Sequence, residues 1–162
     1  MVTKPSGEVL DALDEKVAKY LAVSSNCAQT SFLTLKEQFD LDDGAILKAL
    51  TPFPGIALRG ETCGAVIGSL IAIGLVFGRE ELADQEGYIA SLTPARKFCH
   101  RFEKEVGSTM CGAIIESEFG KRYDLADPAQ LAEWQEAGSY EKCSGVVKKA
   151  VRIAAEIIQA KT

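Results

Sequence analysis

No Cys-x-x-Cys occurs anywhere in the chain. Its absence removes the local signature of a zinc knuckle and of thioredoxin-like chemistry, so that any multi-cysteine site must be assembled by the tertiary fold or across a dimer interface. There is also no Cys-x-x-Cys-His for haem attachment. The chain has one histidine, His100, and nothing around it marks a cysteine–histidine nucleophile pair. No glycine-rich loop follows a strand to hold phosphate. Basic patches interleaved with aromatics are missing, and the net charge is -5, which argues against a nucleic-acid surface. No alternating β-branched run is long enough for a sheet. Residues 1–8 lack the apolar core of a signal peptide, so the expected compartment is the reducing cytoplasm. Five cysteines, an odd number, suit a fully paired disulfide scaffold poorly.

What remains is helical. Apolar residues at Val9, Leu10, Leu13, Val17, Tyr20 and Leu21 form a helical stripe over 8–23. The spacing predicts further helices over 27–39 and 44–50, with residues 40–43 between them and Pro52 and Pro54 ending the second of these. Residues 55–60 read as a loop. Residues 79–92 are polar and less regular. Further helices are expected over 94–106, with Pro94 in its first turn, and over 109–118, 128–134 and 140–160. The 162 residues are expected to form one all-α domain, a compact bundle of about six to eight helices.

The segment 62–78 has no ionisable side chain except Cys63. It is shorter than the usual membrane span of about 20 apolar residues. It is expected to be a buried, glycine-rich central helix surrounded by others, and it predicts self-association as a homodimer. Gly64 and Gly68 share one face, as do Gly74 and Gly78. Glycine there allows close backbone approach by a neighbouring helix or a cofactor.

The cysteines carry the functional signal. Cys27, Cys63, Cys111 and Cys143 each follow closely on a residue able to cap a helix: Ser24, Thr62, Ser108 and Ser139. First-turn N–H groups and the helix dipole favour a thiolate over a thiol. Thiolates attack disulfides, bind metals and hold iron–sulfur clusters, and the placement alone does not choose among these. Separations of 36, 48 and 32 positions exclude local chelation. Cys63, expected at a first helical position, should be the most readily ionised thiol. Cys99, inside a predicted helix, reads as a packing residue and should be the least ionised. His100 reads as a surface residue, Trp134 as a hydrophobic anchor, and Arg59 and Glu61 as an exposed loop before Cys63.

Asn26-Cys27-Ala28-Gln29, then Arg59-Gly60-Glu61-Thr62-Cys63-Gly64-Ala65-Val66-Ile67-Gly68, then Gly107-Ser108-x-x-Cys111, then Cys143, resembles a family described as redox-active and named for its Cys, Gly-Cys-Ala-x-x-Gly, Cys, Cys pattern. The resemblance runs from about Val17 to Ala155. The core here reads Thr62-Cys63-Gly64-Ala65 instead of a literal Gly-Cys-Ala, and Cys99 matches no family position. A related region occurs in the split-Soret type of cytochrome, where its cysteines are associated with an iron–sulfur cluster; the haem-binding portion has no counterpart here. The resemblance implies that Cys27, Cys63, Cys111 and Cys143 are cluster ligands or redox thiols, serving electron transfer with a redox partner protein. Thiol–disulfide chemistry, zinc binding and a structural module without cofactor stay open as alternatives, and no acid–base pair identifies an enzyme.

Overall fold

The computed structural model describes residues 4–42 and 44–161. Asp43, part of the break expected after the second helix, lies outside the described residues, as do 1–3 and 162. Among the described residues the fold is all-helical, with no strand beyond one isolated bridge. Seven helices are nine residues or longer: α1 (Gly7–Ser24), α2 (Cys27–Phe39), α5 (Gly64–Phe77), α6 (Gln85–Val106), α7 (Cys111–Phe119), α8 (Pro128–Glu136) and α9 (Ser139–Gln159). Two more, α3 (Ile46–Ala49) and α4 (Gly55–Leu58), are single turns.

The amphipathic stripes dictate the packing. α1 buries Leu13, Val17 and Leu21, and α9 buries eleven residues from Ser139 to Ile158. α9 packs on α1, α2, α5 and α6, and it carries more buried residues than any other described helix. Arg152 of α9 fastens α1 through Asp14 at 2.8 Å and Asp11 at 3.0 Å. These are partly exposed pairs that fix register more than they stabilise.

α5 departs from the helix expected to be enclosed on every side. Gly64, Ala65, Val66, Gly68, Ser69, Ala72 and Ile73 are buried, whereas Gly74 and Leu75 are exposed. Its closest neighbour is α2. The two glycine pairs also part company. A Cβ on Gly64 would lie 2.4 Å from the Cys27 Sγ, and one on Gly68 would lie 2.3 Å from the Ala28 carbonyl oxygen, so both admit α2. A Cβ on Gly74 would meet nothing within 4 Å. Gly74→Ala should therefore raise stability by about 0.5–1 kcal/mol, the helix-propensity gain with no packing penalty. Chemical denaturation checks this, and a loss of stability would show that a neighbour covers this face.

α6 corrects the expected start at Pro94. The helix begins at Gln85, because the Asp84 carboxylate caps it by accepting from the Gly87 N–H at 2.8 Å, and it continues through Pro94. None of the described helices is long and apolar enough to cross a membrane.

Candidate functional site

Cys27, Cys63 and Cys111 stand at the starts of α2, α5 and α7, Cys143 lies in the second turn of α9, and all four line one cavity of about 410 Å³. Cys99 is not among its walls; it sits half-buried in α6, and His100 beside it is exposed. Among the described residues the cysteines are free thiols.

Local structure explains the placement, though not through the caps expected from the sequence. α2 is capped by Asn26, whose side-chain oxygen accepts from the Gln29 N–H at 2.9 Å, so Cys27 is the first helical residue. Ser24 instead accepts from the Asn26 N–H. Asn26 Nδ2 also donates to the Thr51 carbonyl at 3.0 Å, and Gln29 Nε2 donates to the Leu47 carbonyl at 2.9 Å. The polar residues flanking Cys27 thus tie the start of α2 to the α3 region. Cys63 is itself the cap residue of α5, in place of Thr62. Cys111 opens α7 after Met110, while Ser108 accepts from the Met110 N–H. α9 is entered through Gly138, with Ser139 as its first residue, so Cys143 lies in the second turn without access to first-turn N–H groups.

Cys63 and Cys111 are held together by backbone. The Cys63 N–H donates to the Thr109 carbonyl at 2.8 Å, the Cys111 N–H to the Glu61 carbonyl at 2.7 Å, and the Gly112 N–H to the Gly60 carbonyl at 2.9 Å. Thr62 and Met110 form an antiparallel bridge at the centre of this clamp. Arg59 and Glu61 pair with each other on the exposed side at 2.9 Å.

The segment read as a loop before Cys63 is a left-handed turn. Gly55, Ile56, Ala57 and Leu58 have φ of 54°, 50°, 57° and 61°. Such residues cost about 1–2 kcal/mol each when they carry a Cβ. Tertiary contact enforces the turn: a Cβ on Gly55 would press the Cys111 Sγ at 3.3 Å, and Pro54 and Leu58 line the cavity. A Pro-Phe-Pro-Gly run signals a break, but nothing in it signals left-handed Ile56.

The remaining wall is mostly apolar, with Leu21, Ile114, Ile115, Leu125, Leu131, Trp134, Val146 and Val147, and Ser25, Gln135, Ser139 and Tyr140 add its polar atoms. Leu125, Leu131 and Trp134 are site residues that sequence reasoning missed. Trp134, expected as an anchor, stacks edge-on against Phe119 at 6.3 Å and faces the cavity from α8.

The thiols are unequal. Cys27 is the neighbour that lowers the Cys63 pKa, by hydrogen bonding to the Cys63 sulfur when that is ionised. Burial opposes the shift, and the Ala65 and Val66 N–H groups assist it from beyond the reach of a full capping hydrogen bond. Cys27 is driven the other way, first by its role as donor to Cys63 and then by burial. Burial, followed by repulsion from Cys63, pushes Cys111 up to about 12. Cys143 is also pushed up to about 12, by burial and then by Cys63, Cys111 and Glu118. Cys99 is raised by burial and Glu103, but it is not the least ionised thiol as expected. The physical reason is depth, because α6 leaves Cys99 half-buried while the cavity desolvates Cys111 and Cys143 more.

In the reduced, metal-free protein, pH-dependent alkylation should show Cys63 ionising at lower pH than any other cysteine. A higher titration midpoint for Cys63 than for Cys99 would contradict the geometry. The linkage has a definite sign. Below the ordinary thiol pKa of 9, Cys111 and Cys143 are protonated whether folded or unfolded. Between 9 and about 12 only the unfolded chain gives up these protons, so stability should fall as pH rises through that window. Denaturation midpoints measured across it check this.

Four thiols in an apolar surround are a donor set suited to soft metals and iron–sulfur clusters. Gly64 and Gly55 leave room where a Cβ would displace the Cys27 and Cys111 sulfurs. The residues therefore fit such a group by chemistry. Among the described residues, however, no three Cys, His, Asp or Glu side chains already converge at metal-holding distance, so binding requires the sulfurs to move inward. Comparison with curated proteins and with solved structures gives no match. A family model spans residues 25–157, from the residue before Asn26 to the last turns of α9, and takes in all four cavity cysteines. The chain belongs to the family described as "Putative redox-active protein (C_GCAxxG_C_C)".

Proposed function

We propose that this redox-active protein is an electron carrier whose centre is an iron–sulfur cluster held by Cys27, Cys63, Cys111 and Cys143. The observation that carries the reading is that these four thiols, and not Cys99, line one largely apolar cavity. A bound cluster would supply one-electron chemistry at a potential set by its ligands and by solvent exclusion. The chain supplies the rest. Cys63 is poised as the first thiolate, and its negative charge makes further ionisation of Cys111 and Cys143 unfavourable until a cation is present. The largely apolar wall lowers the polarity around the sulfurs, and the backbone clamp fixes Cys63 relative to Cys111. Electrons would pass to a redox partner protein.

A second reading rests on the Cys27–Cys63 contact. A protonated thiol facing a thiolate is the arrangement of a dithiol that exchanges with an external disulfide. Cys63 attacks one sulfur of the external disulfide and releases one thiol. Cys27 then displaces the mixed disulfide and releases the second, leaving Cys27–Cys63 oxidised and two external thiols formed.

Anaerobic reconstitution with iron and sulfide, followed by absorbance, iron and acid-labile sulfide analysis, tests the first reading. Visible absorbance with stoichiometric iron and sulfide is expected. A colourless, iron-free protein would overturn it, and reversible loss of two titratable thiols on treatment with a disulfide would then support the second.

A further inference from the structure

We infer that the segment from Gly120 to Gly138, which carries α8, is a lid that opens from the body of the protein and governs access to the cavity thiols. The inference is independent of which redox chemistry the thiols perform.

α8 closes the cavity with Leu131, Trp134 and Gln135, and Leu125 adds to the wall from the preceding loop. Yet α8 has no fully buried residue, and what holds it is its packing on α9 and the single ring contact of Trp134 with Phe119 of α7. An element that covers an apolar cavity while burying so little of itself is weakly held, and such elements open at low free-energy cost. The segment is internally coherent. Asp127 caps α8, the Asp124 N–H donates to the Gln130 side chain at 2.9 Å, and Lys121 pairs with Glu133. It is therefore able to move as a unit.

Its two ends are left-handed glycines, Gly120 at φ 76° and Gly138 at φ 93°. A Cβ at Gly120 would meet nothing within 4 Å, and one at Gly138 would meet only a Glu141 carboxylate oxygen at 3.5 Å. Neither junction is wedged in place by packing. The closed position also carries a penalty: the Trp134 Nε1–H is buried without an acceptor. Opening returns that donor to water, which offsets part of the cost of exposing the apolar wall. Leu125, only 4% exposed, is the segment's one deeply seated side chain and its latch.

The test is site-resolved alkylation by iodoacetamide of the reduced, metal-free full chain, read by mass spectrometry. Leu125→Ala should accelerate labelling of Cys111 and Cys143 by about tenfold or more. Cys99, outside the cavity, should keep its wild-type rate, and the melting temperature should fall by no more than about 3–6 °C, the shift that a tenfold change in the closed state implies. Unchanged labelling, or an equal acceleration of all five cysteines including Cys99, would overturn the inference. Hydrogen exchange of the wild-type protein gives an answer even where the variant does not fold. α8 amides should exchange through an opening that leaves α9 protected, and equal protection of α8 and α9 would also overturn it. Both readouts are made without iron, so a failed cluster reconstitution leaves them unaffected.

Discussion

Serine at any one of positions 27, 63, 111 or 143 is expected to lower the iron retained after anaerobic reconstitution to below about a tenth of wild type, whereas Cys99→Ser should retain it. The exchange of sulfur for oxygen is nearly isosteric, so the fold should survive. The chemistry does not, because a serine hydroxyl stays protonated at neutral pH and is a hard donor where a soft thiolate is required. The variants should differ in one respect. Cys63→Ser removes the thiolate whose charge raises the pKa of Cys111 and Cys143. It should therefore leave those two thiols easier to ionise in the metal-free protein, while Cys143→Ser should have no such effect on Cys63. Iron content, sulfide content and per-cysteine titration read both parts. Loss of iron from Cys99→Ser equal to that from the cavity variants would place the centre elsewhere. Retention by all four cavity variants would remove their role as ligands.

The part of this site legible in the sequence is the part governed by local rules. α2 begins at Cys27 as expected, because an Asx cap followed by an amphipathic stripe is a strong signal, although the capping residue is Asn26 and not Ser24. α5 is recognisable from its lack of charge, and the family pattern identifies the four cysteines. What is hidden depends on tertiary contact. Left-handed Ile56 and Ala57 contradict the intrinsic preference of L-residues, and they are held by the clamp between 60–63 and 109–112. The start of α6 is masked by Pro94, which mimics a helix start, while the true cap at Asp84 sits in a polar stretch of weak periodicity. The wall built from Leu125 and α8 is invisible for a related reason. Those residues are apolar singly, and only the return of the chain over the start of α9 gathers them around the thiols. Cys143, expected at the end of a first turn capped by Ser139, instead lies in the second turn of α9, and it lines the cavity from the face of that helix and not from a helix terminus.

Gly68→Ala should destabilise the protein by about 1–3 kcal/mol through overpacking. The new Cβ would stand 2.2 Å from Ser31 Oγ, 2.3 Å from the Ala28 carbonyl oxygen and 3.1 Å from the Phe32 nitrogen. Ser31 is able to rotate away at the loss of its hydrogen bond to the Ala28 carbonyl. The Ala28 carbonyl and the Phe32 nitrogen belong to the α2 backbone and move only if the whole helix does. α2 carries Phe32 and Leu35, both fully buried, so that movement opens the core. The gain in helix propensity from glycine to alanine, about 1 kcal/mol, opposes the clash but does not match it. Gly64→Ala presses on the Cys27 Sγ at 2.4 Å and the Ala28 nitrogen at 2.9 Å, so it should lose stability and also displace Cys27 from the cavity wall. Urea denaturation of the metal-free proteins reads the two stability losses, and the Cys27 alkylation rate should change more in Gly64→Ala, whose new Cβ meets the sulfur itself, than in Gly68→Ala. A Gly68→Ala protein as stable as wild type would show that α2 and α5 are not pressed backbone to backbone, and the placement of Cys27 against Cys63 would lose its support.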